Sequence, residues 1–163
     1  MATRVHSLIR MPVAHTRRFG AIEYDPSSVL TFPSGLPGFD GHSLFTVVEQ
    51  PELAPVVFLQ SVTAPELCFL AAPVAMIDAH YELALNREDL DRLDLDPARS
   101  PVPGVDVLLL ALLCAPENGP LTANLLAPVV INLHNHRAVQ AVRSDLRYSH
   151  QHPIPSTAEP ICS

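Results

Sequence analysis

The chain has no tryptophan, and its 163 residues include only six phenylalanines and three tyrosines. Leucine, valine, isoleucine and alanine must therefore fill its core. Lysine is absent as well: all ten basic residues are arginine, which reads as codon bias in a GC-rich genome. No apolar run approaches the roughly 18 residues that a membrane-spanning helix needs. The longest, residues 105–116, is interrupted by Asp106 and ends at Pro116. Glycine is scarce at six residues, and neither a G-x-G-x-x-G nor a P-loop pattern occurs, which argues against a phosphate cradle. A G-x-S-x-G elbow is missing too. Cys68, Cys114 and Cys162 are odd in number and widely spaced, so a disulfide framework is not expected, and free thiols in a reducing cytosol are. Cys114, between Leu113 and Ala115, reads as a buried core thiol. Residues 1–14 lack the continuous apolar stretch of a signal peptide, and a cytoplasmic protein is predicted.

Charge is distributed unevenly. Arg4, Arg10, Arg17 and Arg18 precede the first acid, Glu23, and from there on 17 acids face six arginines, a net of −11. Such a body repels nucleic acid and attracts basic partners. Residues 1–16 have no clean period and are predicted to be a disordered basic extension, either without a role or as an arm touching RNA or an acidic surface. An apolar content of 48% argues against global disorder. One domain is expected over residues 17–154, followed by a disordered tail over residues 155–163.

Within that domain, short apolar and β-branched runs recur every 10 to 12 residues or so, each punctuated by proline or glycine. Residues 19–24, 29–32, 44–48, 56–62 and 67–71 are such runs, and residues 105–115 look like a central strand. The 17 prolines would break helices but suit strand ends and edges. The fold class is therefore all-β. Pro128 demands an edge, a bulge or a bend in the run at residues 121–133. Phe32, Pro33, Gly35, Pro37, Gly38 and Phe39 form a tight corner whose flanking rings are expected to be buried.

Residues 81–85 alternate with period two, placing Tyr81, Leu83 and Leu85 on one face and Glu82 on the other. The period then switches: Asn86 can cap a helix, Glu88 and Asp89 suit its positive end, and Leu90 and Leu93 share a face. Glu88, Asp89, Asp91 and Asp94 are placed on its outer face. A solvated face explains such a block, and so does docking of a basic partner, for which Asp78, Glu82, Glu88, Asp89 and Asp91 are the candidate contacts. His134 and His136, with His150 and His152, offer four nitrogens for a metal on paper. A ligand-binding or metal-dependent, histidine-rich β-barrel enzyme is accordingly the alternative reading; otherwise no enzyme and no cofactor are expected.

Four blocks in order resemble the flagellar assembly factor FliW family: residues 32–39; Leu59-Gln60-Ser61 with Pro65-Glu66-Leu67; residues 122–132, including Asn124, Pro128 and Asn132; and Tyr148-Ser149 with His152-Pro153. The resemblance implies a small, mostly antiparallel β-barrel-like domain with one short helix. It also implies a non-enzymatic protein that binds flagellin and allosterically antagonises the translational regulator CsrA. A monomer without direct contact to nucleic acid or membrane is expected. The family's acidic residues around the glutamate of its Tyr-Glu segment are replaced here by His80 and Ala84.

Overall fold

Residues 10–155 are described by a computed structural model. The first element among the described residues is a hairpin of Val13–Thr16 (β1) and Gly20–Glu23 (β2), with Val13 opposite Glu23 and Thr16 opposite Gly20. Thr16 closes it locally: its hydroxyl accepts from the Phe19 N–H at 2.8 Å and donates to the Gly20 carbonyl at 2.9 Å. The Arg17 N–H then anchors the hairpin on the Pro65 carbonyl, at 2.8 Å. Residues 13–16, expected in the basic extension, thus belong to the domain. Four residues flanked by arginines are too few to show a period, and only pairing with β2 reveals the strand. Residues 1–9 and 156–163, where most of the predicted extension and tail fall, lie outside the described residues.

Nine further strands make one sheet: Leu30–Thr31 (β3), Leu44–Glu49 (β4), Val57–Ser61 (β5), Cys68–Pro73 (β6), Val107–Cys114 (β7), Thr122–Ala123 (β8), Val129–Asn132 (β9), Ala138–Gln140 (β10) and His152–Pro153 (β11). Its order is β10-β9-β7-β6-β5-β4-β3, every ladder is antiparallel, and β8 joins β7 to β11. The two ends of the path curl towards each other. They meet at a single parallel bridge between Thr31 and Arg137, with the Thr31 N–H 3.0 Å from the His136 carbonyl. Among the described residues no ladder closes the sheet, so the shape is barrel-like without being a closed barrel.

The central position of β7 accounts for its unbroken apolarity. Leu110 joins one core with Phe32, Phe45, Leu59 and Ile131, whereas Val107, Leu109 and Ala111 join the other with Leu93, Leu125 and Val130. A strand buried on both faces needs no polar alternation. Cys114, however, is exposed at the end of β7, and the expectation of a core thiol fails there. The corner is held by Gly35 N–H to Phe32 O at 3.0 Å and Phe39 N–H to Leu36 O at 2.8 Å. Phe32 is fully buried, but Phe39 is 39% exposed and meets Phe69 edge-on.

Two α-helices interrupt the sheet. Val74–Ile77 (α1) is a single turn, and Arg87–Leu93 (α2) is the one longer helix among the described residues. Residues 81–85, with their strand-like period of two, pair with no strand among the described residues, yet their burial alternates as their sequence does. No helix among the described residues is long and apolar enough to cross a membrane.

Candidate functional site

Helix α2 carries three of the five acidic candidates. Asn86 caps it, its Oδ1 accepting from the Asp89 N–H at 2.7 Å. Glu88 pairs with Arg92 and Asp91 with Arg87, each one turn apart on the solvent side. Asp89 is a correction: it is only 5% exposed, and burial pushes its carboxyl above the ordinary carboxylate range. The first turn tucks this residue under the helix, off the outer face on which the sequence placed it. At the other end of α2, the Leu93 carbonyl receives the side-chain amides of Asn132, at 2.9 Å, and Asn135, at 3.2 Å.

The segment before α2 is held by side chains instead of a ladder. The Tyr81 hydroxyl donates to the Leu125 carbonyl at 2.8 Å, and its ring packs on Tyr148 with centroids 4.3 Å apart. The Glu82 N–H donates to the Tyr148 hydroxyl at 3.0 Å, while its carbonyl accepts from Arg143. Arg143 also grips Asp145 through two bonds of 2.9 and 3.0 Å, and its guanidinium lies 4.9 Å from the Tyr148 ring centre. Asp145 raises the Arg143 pKa, and Arg143 in turn holds the Asp145 carboxyl below its usual range. The Glu82 carboxylate is itself paired with Arg147 through both oxygens. Nothing in the sequence around Arg143 or Arg147 marks them as partners of a segment more than 60 residues earlier.

Asp78 stands apart from these pairs. Its Oδ1 accepts from the His80 N–H at 2.9 Å, and it lines an apolar groove of about 200 Å³ between α1 and residues 103–109. The structure therefore places Asp78 at the end of α1 and Glu82 just beyond the turn at residues 79–80, with Glu88 and Asp91 on the helix that follows. Each of Glu82, Glu88 and Asp91 has a resident arginine.

Elsewhere the motif residues close turns. Asn124 Oδ1 accepts from the Ala127 N–H at 3.0 Å, so the run at residues 121–133 breaks into β8 and β9, with Pro128 in the link. The predicted histidine pairs do not converge: His136 contacts the Ser27 carbonyl at 2.8 Å, His152 lies in β11, and His134 lines a cavity of about 410 Å³ with Asp94, Asp96 and Asp106. Asp106 in that cavity is already engaged by Arg99 and the Val102 N–H. Among the described residues no three His, Cys, Asp or Glu side chains are grouped so as to hold a metal ion.

A family model described as FliW protein matches residues 13–154. Flagellar assembly factor FliW of Bacillus subtilis is 32% identical over 142 residues, spanning 87% of this chain and 96% of that protein. The protein of the same description from Syntrophomonas wolfei is 31% identical over 143 residues, spanning 86% and 88%. The fold superimposes on a crystal structure of the flagellar assembly factor FliW with a TM-score of 0.75 at 28% identity, covering 88% of this chain and 98% of that one. On the extent of the match, in sequence and in fold, the chain belongs to the FliW family of flagellar assembly factors.

Proposed function

We propose that this protein is a non-enzymatic, cytoplasmic and monomeric binding factor that takes flagellin and CsrA as alternative partners. Free flagellin sequesters it, CsrA is released, and flagellin translation falls; when flagellin is exported, the factor returns to CsrA and translation resumes. The observation that carries this reading is the match to FliW proteins over residues 13–154, nearly the whole described chain. The acidic balance of the body agrees with a partner that binds RNA, since such a partner is itself basic. A choice between two proteins requires a surface and no reacting group.

The test is a competition measurement with purified proteins. Labelled CsrA is titrated with this protein, and flagellin is then added. Binding of CsrA followed by its displacement supports the reading, and binding to neither protein sinks it.

A further inference from the structure

We propose that the groove between α1 and residues 103–109, together with Asp78, is an anchor site for a protein segment carrying an apolar side chain beside a lysine or arginine. On the functional reading above, on which this inference rests, that segment belongs to CsrA.

Pro73, Val74, Pro103, Leu108 and Leu109 build the wall of the groove, and Asp78 is the carboxylate in its lining. Leu108 of its wall is 37% exposed, and the residues that follow its Ala75 and Gly104 in sequence, Met76 and Val105, are 67% and 64% exposed. Apolar surface open to water beside a carboxylate favours contact with another molecule. Gly104, with φ of +85°, lines the groove and opens the turn in which the exposed Val105 follows it.

Charge decides the occupant. Glu82, Glu88, Asp91 and Asp106 are neutralised by Arg147, Arg92, Arg87 and Arg99 respectively. Asp78 receives only the His80 N–H and, among the described residues, joins no ion pair. A half-buried carboxylate beside apolar surface gains most from a cation brought by the partner, because the same contact that buries the apolar side chain also removes water from the ion pair. A second copy of this chain is a poor fit, since it would bring an acidic body against Asp78.

The test measures binding of full-length protein to purified CsrA and, separately, to purified flagellin. Asp78→Asn keeps the acceptor for the His80 N–H and removes the charge. Val105→Asp puts a charge on the exposed turn next to Gly104 of the groove, and Leu53→Asp, at an exposed position elsewhere, is the control. Asp78→Asn and Val105→Asp are each expected to weaken CsrA binding about tenfold or more, with unchanged melting temperature, and Asp78→Asn is expected to flatten its salt dependence. Leu53→Asp leaves the affinity unaltered. Should Val105→Asp fail to fold, Asp78→Asn decides alone. Unaltered CsrA affinity in a folded Asp78→Asn variant, or a loss confined to flagellin, overturns the site while leaving the functional reading intact. A wild-type protein that binds neither partner removes the functional reading and the site with it.

Discussion

The side-chain amide of Asn132 donates to the main-chain carbonyl of Leu93 at 2.9 Å, so a strand end and a helix end 39 residues apart share one buried hydrogen bond. The Asn132 Oδ1 accepts from the His134 N–H as well, at 2.9 Å, and the residue is 3% exposed. Asn132→Leu leaves the Leu93 carbonyl with only the longer Asn135 contact and takes the acceptor from the His134 N–H. Urea unfolding is expected to show a loss of about 1–3 kcal/mol, with a much smaller one for Asn135→Ala, whose contact is longer and partly wet. Equal losses would mean that the amide of Asn132 is not the main tie.

Two glycines of the corner separate backbone strain from crowding. Gly35 has φ of +68°, and a Cβ there would stand 3.4 Å from the Phe39 carbonyl oxygen; Gly38 has φ of +84° with open space around it. Gly38→Ala should cost about 1–2 kcal/mol, the penalty of left-handed backbone for an L-residue. Gly35→Ala carries that penalty plus the contact and should cost more. Thermal unfolding of the two variants checks the order.

Arg143 is the pin of the segment before α2, with a side chain only 4% exposed. Arg143→Lys cannot keep the forked bonds to Asp145 while reaching the Glu82 carbonyl. A loss of about 1–3 kcal/mol is expected, and hydrogen exchange should speed up in residues 80–86 before the sheet responds. Uniform acceleration across the whole chain would contradict a local role.

Glu82→Lys breaks the pair with Arg147, whose partners are 63% and 53% exposed. Exposed pairs contribute about 0–1 kcal/mol, so stability should barely change. Binding is different, because the substitution leaves two neighbouring cations where a neutral pair stood. CsrA affinity should fall, and added salt should restore part of it. A stability loss well above that range would make Glu82 a structural residue first.

Two buried aspartates respond to pH with opposite sign. The Val102 N–H and the Arg99 guanidinium hold the Asp106 carboxyl below the ordinary range. Its contribution is therefore complete above the ordinary carboxylate value and is lost as pH falls through its own lower value. Asp89 is raised by burial, so its contribution is present below the ordinary value and lost as pH rises through the raised one. Relative to wild type, Asp106→Asn should be destabilised near neutrality with a deficit that shrinks in acid, whereas Asp89→Asn should gain as pH rises from about 4 to 7. Unfolding curves across that range test both signs.

The strand runs and the helix were legible in the sequence because each rests on short-range physics. Pro51 and Pro73 punctuate apolar runs, Asn86 provides a cap three residues before the amide it accepts, and β7 is apolar throughout because both its faces are covered. Residues 81–85 show the limit of that physics. Their period-two burial was legible, but the pairing that makes a strand was not, since a ladder needs a neighbour and Tyr148 with Arg143 took that place. The same holds for Asp89: a carboxylate three residues into a helix reads as solvated until the sheet is packed beneath it.

By itself, then, the sequence determined the β-rich class, the corner at residues 32–39, the helix at residue 87 and the acidic balance of the body, all of which follow from local dihedral preference, hydrophobic period and charge. Tertiary structure alone decided which acids remain unpaired. Arg147 reaches Glu82 across 65 residues, and Asp78, which no arginine reaches among the described residues, is left beside an apolar groove. Charge is a property of a residue, but neutralisation is a property of distance in the folded chain.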